Sequence, residues 1–334
     1  MGKCMLENRL FEAIQKNRFV VVGRVGLDLF PTEVGIGIEE AEAFVKDMGG
    51  SAANTAAGLV KLGSAAALVT AVSDDAVGRT CRRMLSEKYG VDDTYVTVVG
   101  GEARNSLALY ETRMEGHQSV IYRNGAADFE MTEADVAAVD YGRFGALITA
   151  GTVFAADPSR TAAFKSFDLA KTAGLPIIFD VDYRPYSWPS AQVAEDVLSR
   201  AAALSDVIVG NDEEFGFMAG GAEKGLAKAR DLAATTASLV IYKMGPEGSI
   251  AITKDGELQT GIYRVDALKP TGAGDSFMAG MLASLAQGID LEQAILRGSA
   301  CAAIVVGKPG CAPAMPYPAD LEAFLNDHPG PSAP

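Results

Sequence analysis

The sequence predicts an α/β fold, with a mostly parallel central sheet covered by helices on both faces and a small second sheet inserted into it. Three observations carry that expectation. From Phe129 onward, short apolar β-rich runs alternate with segments of helical periodicity, the pattern of parallel strands joined by crossover helices. Between Thr94 and Arg123 that alternation gives way to consecutive strand-like runs separated by Gly and charged turns. Glycine is also abundant, 36 of 334 residues, as many tight strand–helix turns require.

In chain order, RFVVVGRVGLDLF (18–30) reads as one buried strand carrying polar residues at its C-terminal end. The tract 29–48 is short, polar and loop-like. GGSAANTAAGLVKLG (49–63) has helical spacing, with Gly49, Gly50 and Ser51 at its start and Gly63 at its stop. AAALVTAVSDDAVG gives a strand and the start of another helix. The runs YVTVVGG, NSLALYETR and QSVIYRNG suit antiparallel strands, so insertions are expected over about 29–48 and 94–126 of a single domain spanning 1–330.

Beyond them ALITAG is a strand, 160–173 a helix, LPIIFDVDYRP a strand and 190–203 a helix. SDVIVGNDEEF opens a helix running to about Ala233, and ASLVIYKMGPEG follows as a strand and turn. SIAIT and YRVDAL read as two further strands. Two Ala-rich helices, about 275–286 and 290–306, close the core, with 329–334 a loose tail.

Composition excludes several classes. An apolar fraction of 49% with 22% charged residues describes a globular chain able to bury a sizeable core. A net charge of −14 argues against nucleic acid or anionic membrane as main partners, while leaving room for a small anion in a local pocket. Residues 1–18 carry charges throughout, and no apolar run approaches the ~20 residues of a membrane helix, so a cytoplasmic location is expected. The four cysteines, Cys4, Cys81, Cys301 and Cys311, are scattered, and the chain has only two histidines. Structural zinc, a disulfide framework and Cys/His nucleophilic chemistry are all disfavoured.

The most telling stretch is LKPTGAGDSFMAG (268–280). Phe277, Met278, Met281, Leu282 and Leu285 have the spacing of a helix with one buried face, beginning near Asp275. The amides of Gly272, Ala273 and Gly274 then sit at a helix N-terminus, where unpaired N–H groups favour an anion. Asp275 there either offsets the helix dipole or does chemistry. Bare amides beside a carboxylate suit phosphoryl transfer to an alcohol, and the chain has no G-x-x-x-x-G-K-[ST] loop.

TGAGDSFMAG together with GGSAANTAAGLVKLG, in that spacing and order, resembles the ribokinase-like (PfkB) carbohydrate kinases across nearly the whole chain. The resemblance implies a three-layer ribokinase-like sandwich whose inserted strands form a β-sheet lid. It implies ATP with Mg2+, Asp275 as the base that deprotonates the acceptor hydroxyl, and Gly272, Ala273 and Gly274 as the anion hole. Asn211 and Glu214 match the family's N-x-x-E motif, which supports magnesium and phosphate indirectly, although alone they read as a loop Asn and an acid opening a helix. Lys243, Gly245 and Gly248 resemble the turn beside the nucleotide, where a plain β-turn explains the glycines equally well. Asp28, Gly50 and Asn54 match positions that bind sugar hydroxyls.

DVDYRPYSW, with Asp180, Asp182 and Arg184, and YRNGAAD, with Tyr122 and Arg123, resemble the branch of the family acting on 5-dehydro-2-deoxygluconate in inositol breakdown. That acceptor is a keto sugar acid, and Arg123 and Arg184 are the expected carboxylate contacts, with a surface ion pair as the alternative. The 2-keto-3-deoxygluconate branch ranks second, because Asp182 and Ser187 stand where its D-x-N-x-R-x-x-L-W pattern has Asn and Leu. Ribokinase and fructokinase come after it. Many relatives place an acid three residues before the anion hole to help bind potassium. Lys269 stands there, so a monovalent cation is doubtful. Lid strands of the family often pair between subunits, which makes a homodimer the compatible assembly. A dehydrogenase is disfavoured because GRVGLD lacks G-x-G-x-x-G, and a catalytically inactive sugar-binding regulator because Asp275 and its turn are intact.

Overall fold

Short runs of buried β-branched residues frame the molecule, as seen in a computed structural model that describes residues 5–328 and 330–331. Strand β1 (Arg18–Val22) is the central example. Phe19 and Val21 face one core while Val20 and Val22 face the other, so both sides of the strand are buried. Its neighbours are β4 (Ala65–Ser73) and β8 (Ala146–Ala150), both parallel to it. Beyond β4 lies β5 (Val96–Val99), and beyond β8 come β9 (Ile177–Asp180), β10 (Val207–Asn211) and β11 (Leu239–Lys243), all parallel. The hairpin β12 (Ser249–Thr253) and β13 (Gly256–Thr260) adds two antiparallel strands at the far edge.

Helices cover both faces of this nine-stranded sheet. One core is shared by α1 (Met5–Ile14), α2 (Ser51–Lys61), α3 (Ala76–Arg83), α9 (Ala273–Ala286), α10 (Leu291–Val306) and α11 (Pro318–Asp327). The other is closed by α4 (Glu133–Ala137), α5 (Ser159–Thr172), α6 (Ala191–Ala203), α7 (Asp212–Met218) and α8 (Gly225–Thr235). None of the described helices is long and apolar enough to cross a membrane. Strand order reverses at β1, and ligands of open α/β sheets collect at such a switch point, outside the carboxyl ends of the strands.

A separate four-stranded sheet is built from β2 (Gly26–Pro31), β3 (Phe44–Gly49), β6 (Leu107–Tyr110) and β7 (Ser119–Tyr122), in the order β3-β2-β6-β7. Its boundaries correct the expected insertions at 29–48 and 94–126. The run Val96–Val99 belongs to the main sheet, paired with Thr70–Ser73, because a short β-rich run does not encode which sheet edge it joins. The single strand expected over 18–30 is two strands in different sheets. The chain turns out after Val22 at Gly23, where a side chain would stand 2.7 Å from Ala52 Cβ. YRVDAL is not a strand. Its place in the edge hairpin is taken by Gly256–Thr260, and Leu268 and Lys269 donate their backbone N–H groups to Val306 O at the end of α10. The tail expected over 329–334 lies mostly outside the described residues.

Candidate active site

The site begins with a helix that is apolar on every side. Residues 276–286 of α9 are all buried, not one face of them, since α9 packs between α2 and α10. Its N-terminus therefore cannot drift. Gly272 caps it in the left-handed region at φ 84°, and a Cβ there would come within 3.1 Å of Cys311 Sγ. The first helical bond runs from Ser276 N to Gly272 O at 3.1 Å. Gly272, expected as part of the anion hole, is the N-cap, so the N–H groups of the first turn, where no intrahelical acceptor exists, are those of Ala273, Gly274 and Asp275.

Asp275 lies at the foot of these amides and accepts a 2.8 Å hydrogen bond from Asn54 Nδ2 on α2. Burial pushes its carboxyl up to about 6, the nearby Asp182 charge adds to the rise, and Asn54 opposes it. Such a carboxylate is ionised at neutral pH yet a stronger base than an exposed one. The N-cap of α2 is Gly50, at φ 98°, where a Cβ would meet Arg24 O at 2.5 Å.

Asp275 opens on a cavity of about 680 Å³ at the carboxyl ends of the main-sheet strands, a size suited to small-molecule ligands. It is lined by Gly50, Asn54, Arg123, Asp182 and Arg184 among the expected acceptor residues. Asn211, Glu214, Lys243, Gly245 and Gly248 line it as well, with the whole of Gly272–Asp275. A Cβ on Gly274 would lie 3.5 Å from Lys243 Nζ, so that ammonium flanks the unpaired amides.

Two expected features take a different form. Asn211 and Glu214 make a reciprocal capping box for α7: Asn211 Oδ1 accepts from Glu214 N and Glu214 Oε2 accepts from Asn211 N, each at 2.8 Å. Glu214 is buried and also accepts from Tyr183 N. Asp28 does not end a main-sheet strand. It sits in β2 on the cavity-side face of the small sheet, opposite Asp47 and Ala108, but does not line the cavity. Its carboxylate fills the space that Gly49 leaves by lacking a side chain, and Oδ1 is buried without a hydrogen-bond partner. Burial pushes Asp28 up to about 7, with Arg24 opposing.

Asp182 adopts φ 37°, a left-handed conformation uncommon outside glycine. Three partners hold it there: Ser51 Oγ at 2.6 Å, Thr152 Oγ1 at 3.3 Å and Arg184 Nη2 at 2.9 Å. Burial pushes Asp180 up to about 8 and raises Glu214 from its ordinary value, with Lys243 acting against the rise in both. Among the described residues Asp180 lines the cavity with no hydrogen-bond donor on its carboxylate, and no three His, Cys, Asp or Glu side chains converge as a metal-holding group. Lys269 is fully buried, and its Nζ donates to Thr271 O at 2.6 Å and Val305 O at 3.3 Å.

Sequence reading noted Arg24 only as a neighbour of Asp28 and passed over Tyr110, His117 and Tyr186; all four line the same cavity. His117 Nε2 reaches Thr271 Oγ1 at 3.4 Å, linking the loop between β6 and β7 to the glycine turn. Only the Arg in GRVGLD, directly after the first strand, gave a signal of this in the sequence.

Comparison with known proteins agrees with the geometry. The profile described as pfkB family carbohydrate kinase matches residues 16–318. The 5-dehydro-2-deoxygluconokinase of Geobacillus kaustophilus (strain HTA426) is 35% identical over 319 residues, covering 93% of this chain and 94% of the relative. A double-mutant fructokinase from Vibrio cholerae O395, in its fructose, ADP and potassium ion bound form, superposes with TM-score 0.80 at 25% identity, covering 92% of this chain and 98% of that one. Aminoimidazole riboside kinase from Salmonella enterica, complexed with aminoimidazole riboside and an ATP analog, superposes with TM-score 0.77 at 24% identity, over 92% and 99%.

Proposed function

The chain belongs to the pfkB family of carbohydrate kinases and is a sugar kinase, and from that premise we propose that it transfers the γ-phosphoryl of ATP to the terminal hydroxyl of a keto sugar acid. The acceptor read here is 5-dehydro-2-deoxy-D-gluconate, placing the enzyme in inositol breakdown in the cytoplasm. The observation that carries the chemistry is Asp275, raised towards 6 and oriented by Asn54 beneath three unpaired amides. The acceptor assignment is supported by relatives at about 35% identity over most of the chain and by the arginines of the cavity.

In this mechanism Asp275 takes the proton of the attacking hydroxyl. The amides of Ala273, Gly274 and Asp275 hold the charge that develops on the transferred group, and Lys243 adds a positive charge beside them. Asn54 keeps the Asp275 carboxylate aimed. The small sheet lies across the acceptor and keeps water from competing for the phosphoryl group. Mg2+ would supply positive charge to neutralise the nucleotide phosphates, and a site for it calls for one or two carboxylates. Asp180 fits that demand, with no donor of its own, whereas Glu214 is committed to the α7 cap and acts indirectly.

The residues do not fit a monovalent cation beside the glycine turn. Lys269 Nζ already occupies two carbonyl oxygens there, so its ammonium takes the place of the ion. A homodimer through the small sheet is the assembly read here, because its outer face carries Leu109, Val120 and Tyr122, with Val120 38% and Tyr122 60% exposed. A monomeric mass by light scattering at micromolar concentration refutes that assembly.

The test of function is a panel of hexonic acids and neutral sugars scored by ADP release. Turnover of 5-dehydro-2-deoxygluconate well above every neutral sugar is expected. Turnover confined to neutral sugars overturns the acceptor while leaving the kinase chemistry intact.

A further inference from the structure

The geometry points to Arg24 as the side chain that binds the carboxylate of the acceptor, an inference that rests on the sugar-acid reading above. Arg24 stands where the chain leaves β1 for β2, is 7% exposed, and lines the cavity. Its guanidinium makes one hydrogen bond, from Nη1 to Ser106 Oγ at 2.9 Å, and among the described residues it has no carboxylate ion-pair partner. A guanidinium carries five N–H donors and does not lose its charge in a protein. Most of its donors are therefore left for something that enters the cavity, and a buried charge without a partner is costly until an anion arrives.

The other two arginines of the cavity are already engaged. Arg123 gives Nε and Nη2 to Asp128 Oδ2 and Nη1 to Thr152 O at 2.9 Å, so all three of its nitrogens are engaged. Arg184 pairs with Asp182 and extends towards Glu214. An acceptor carboxylate that drew either one away would strand a buried Asp, since Asp128 and Asp182 are 3% and 5% exposed. Arg24 can take up the anion without breaking any pair.

Its position is also set in advance. Arg24 O accepts from Ala53 N, at the start of α2, fixing the backbone beside Gly50. Asn105 accepts from Ser73 N and Ser73 Oγ and donates to Val25 O, tying the segment that carries Ser106 to the link that carries Arg24. Burial opposes the Arg24 charge, and Asp28 and Asp128 act in its favour from beyond ion-pair distance without occupying the fork. Tyr110 and Tyr186 lie within the same electrostatic reach and line the cavity, adding hydroxyls around an anion held there. Pre-placement of this kind lets a two-pronged contact form without reordering the site.

Steady-state kinetics on Arg24→Met and Arg24→Lys test the inference, with 5-dehydro-2-deoxygluconate and its analogue whose carboxylate is reduced to an alcohol. For Arg24→Met the KM of the acid is expected to rise by about 100-fold, with kcat changed less than about tenfold and the neutral analogue nearly unaffected. Arg24→Lys, which keeps a charge but loses the planar fork, is expected to raise the KM of the acid by about tenfold. A KM for the acid equal to wild type in Arg24→Met overturns the role of Arg24 and leaves the sugar-acid reading standing. If Arg24→Met does not fold, an unchanged KM in Arg24→Lys does the same. A wild-type enzyme that turns over the neutral analogue but not the acid overturns both.

Discussion

The two ends of the cavity are built by opposite means. The phosphate end is a contiguous stretch of backbone, Gly272 to Asp275, fixed by a helix buried all round. The acceptor end gathers single side chains from distant elements: Arg24 after β1, Asn54 on α2, Arg123 after β7 and Asp182 after β9. One is a local geometric device and the other a product of the whole fold. The difference teaches where substitutions should act: rate at the first end, acceptor affinity and choice at the second.

The largest expected effect lies at the phosphate end. Asp275→Asn should lower kcat by about 10³-fold, within the range for loss of a positioned general base, in a coupled ADP-release assay. The pH profile carries the same signature. Burial has raised the Asp275 carboxyl to about 6, so the base is ionised above that pH and takes up its proton as pH falls through it. The kcat/KM of the wild type should therefore fall about tenfold per pH unit below 6, and the variant should lack that limb. Stability runs the other way. A carboxyl whose native pKa is raised binds its proton more tightly in the folded state, so its contribution declines as pH rises from the ordinary carboxylate range to about 6. The Asn variant should consequently melt no lower than wild type at pH 8, and a lower Tm there would assign Asp275 a structural role instead.

The same contrast explains what was legible in the sequence. The phosphate end could be read because its function resides in consecutive residues whose backbone the glycines expose. The alternating strands and helices were legible for a similar reason, since each is specified by local periodicity. What escaped was pairing at a distance. The sequence does not say that Val96–Val99 joins the main sheet, that Asp28 lies in the small one, or that Arg123 is held by Asp128. Arg24 was visible as a neighbour of Asp28, but its lack of a partner exists only in three dimensions. N-x-x-E was legible as a motif, yet its reciprocal cap appears only once both hydrogen bonds are on view.

Two glycines sharpen the comparison further. At Gly272 an Ala must hold φ 84° and meet Cys311 Sγ at 3.1 Å and Val305 Cγ1 at 3.2 Å. At Gly50 it must hold φ 98° and meet Arg24 O at 2.5 Å. Each substitution should cost about 1–3 kcal/mol of strain and lower Tm by several degrees. Their kinetic consequences should separate. Gly272→Ala moves the unpaired amides and should lower kcat most, by about tenfold or more. Gly50→Ala pushes on the backbone of Arg24 and should chiefly raise the KM of the acceptor. If both changed kcat and KM in the same proportion, the two ends would have to be a single mechanical unit.

The smallest expected effect is the response of the wild type to potassium. Lys269 is fully buried, with its ammonium on Thr271 O and Val305 O, so it joins the residue before the anion hole to the end of α10. Burial lowers its proton affinity, while Cys311, Asp275 and Asp28 act to retain the charge. A tethered cation leaves no pair of carbonyls for a free one. Replacing sodium with potassium at equal ionic strength should change wild-type turnover by no more than about twofold, since screening is the same for both salts. Lys269→Met leaves Thr271 O without its ammonium donor, while Val305 O keeps the Lys308 N–H, and turnover should fall by about tenfold in sodium. Potassium should then restore part of that loss, because an ion can enter the space the ammonium has vacated. Strong activation of the wild type by potassium would show instead that the site for the ion lies elsewhere and that Lys269 serves only to pin the loop.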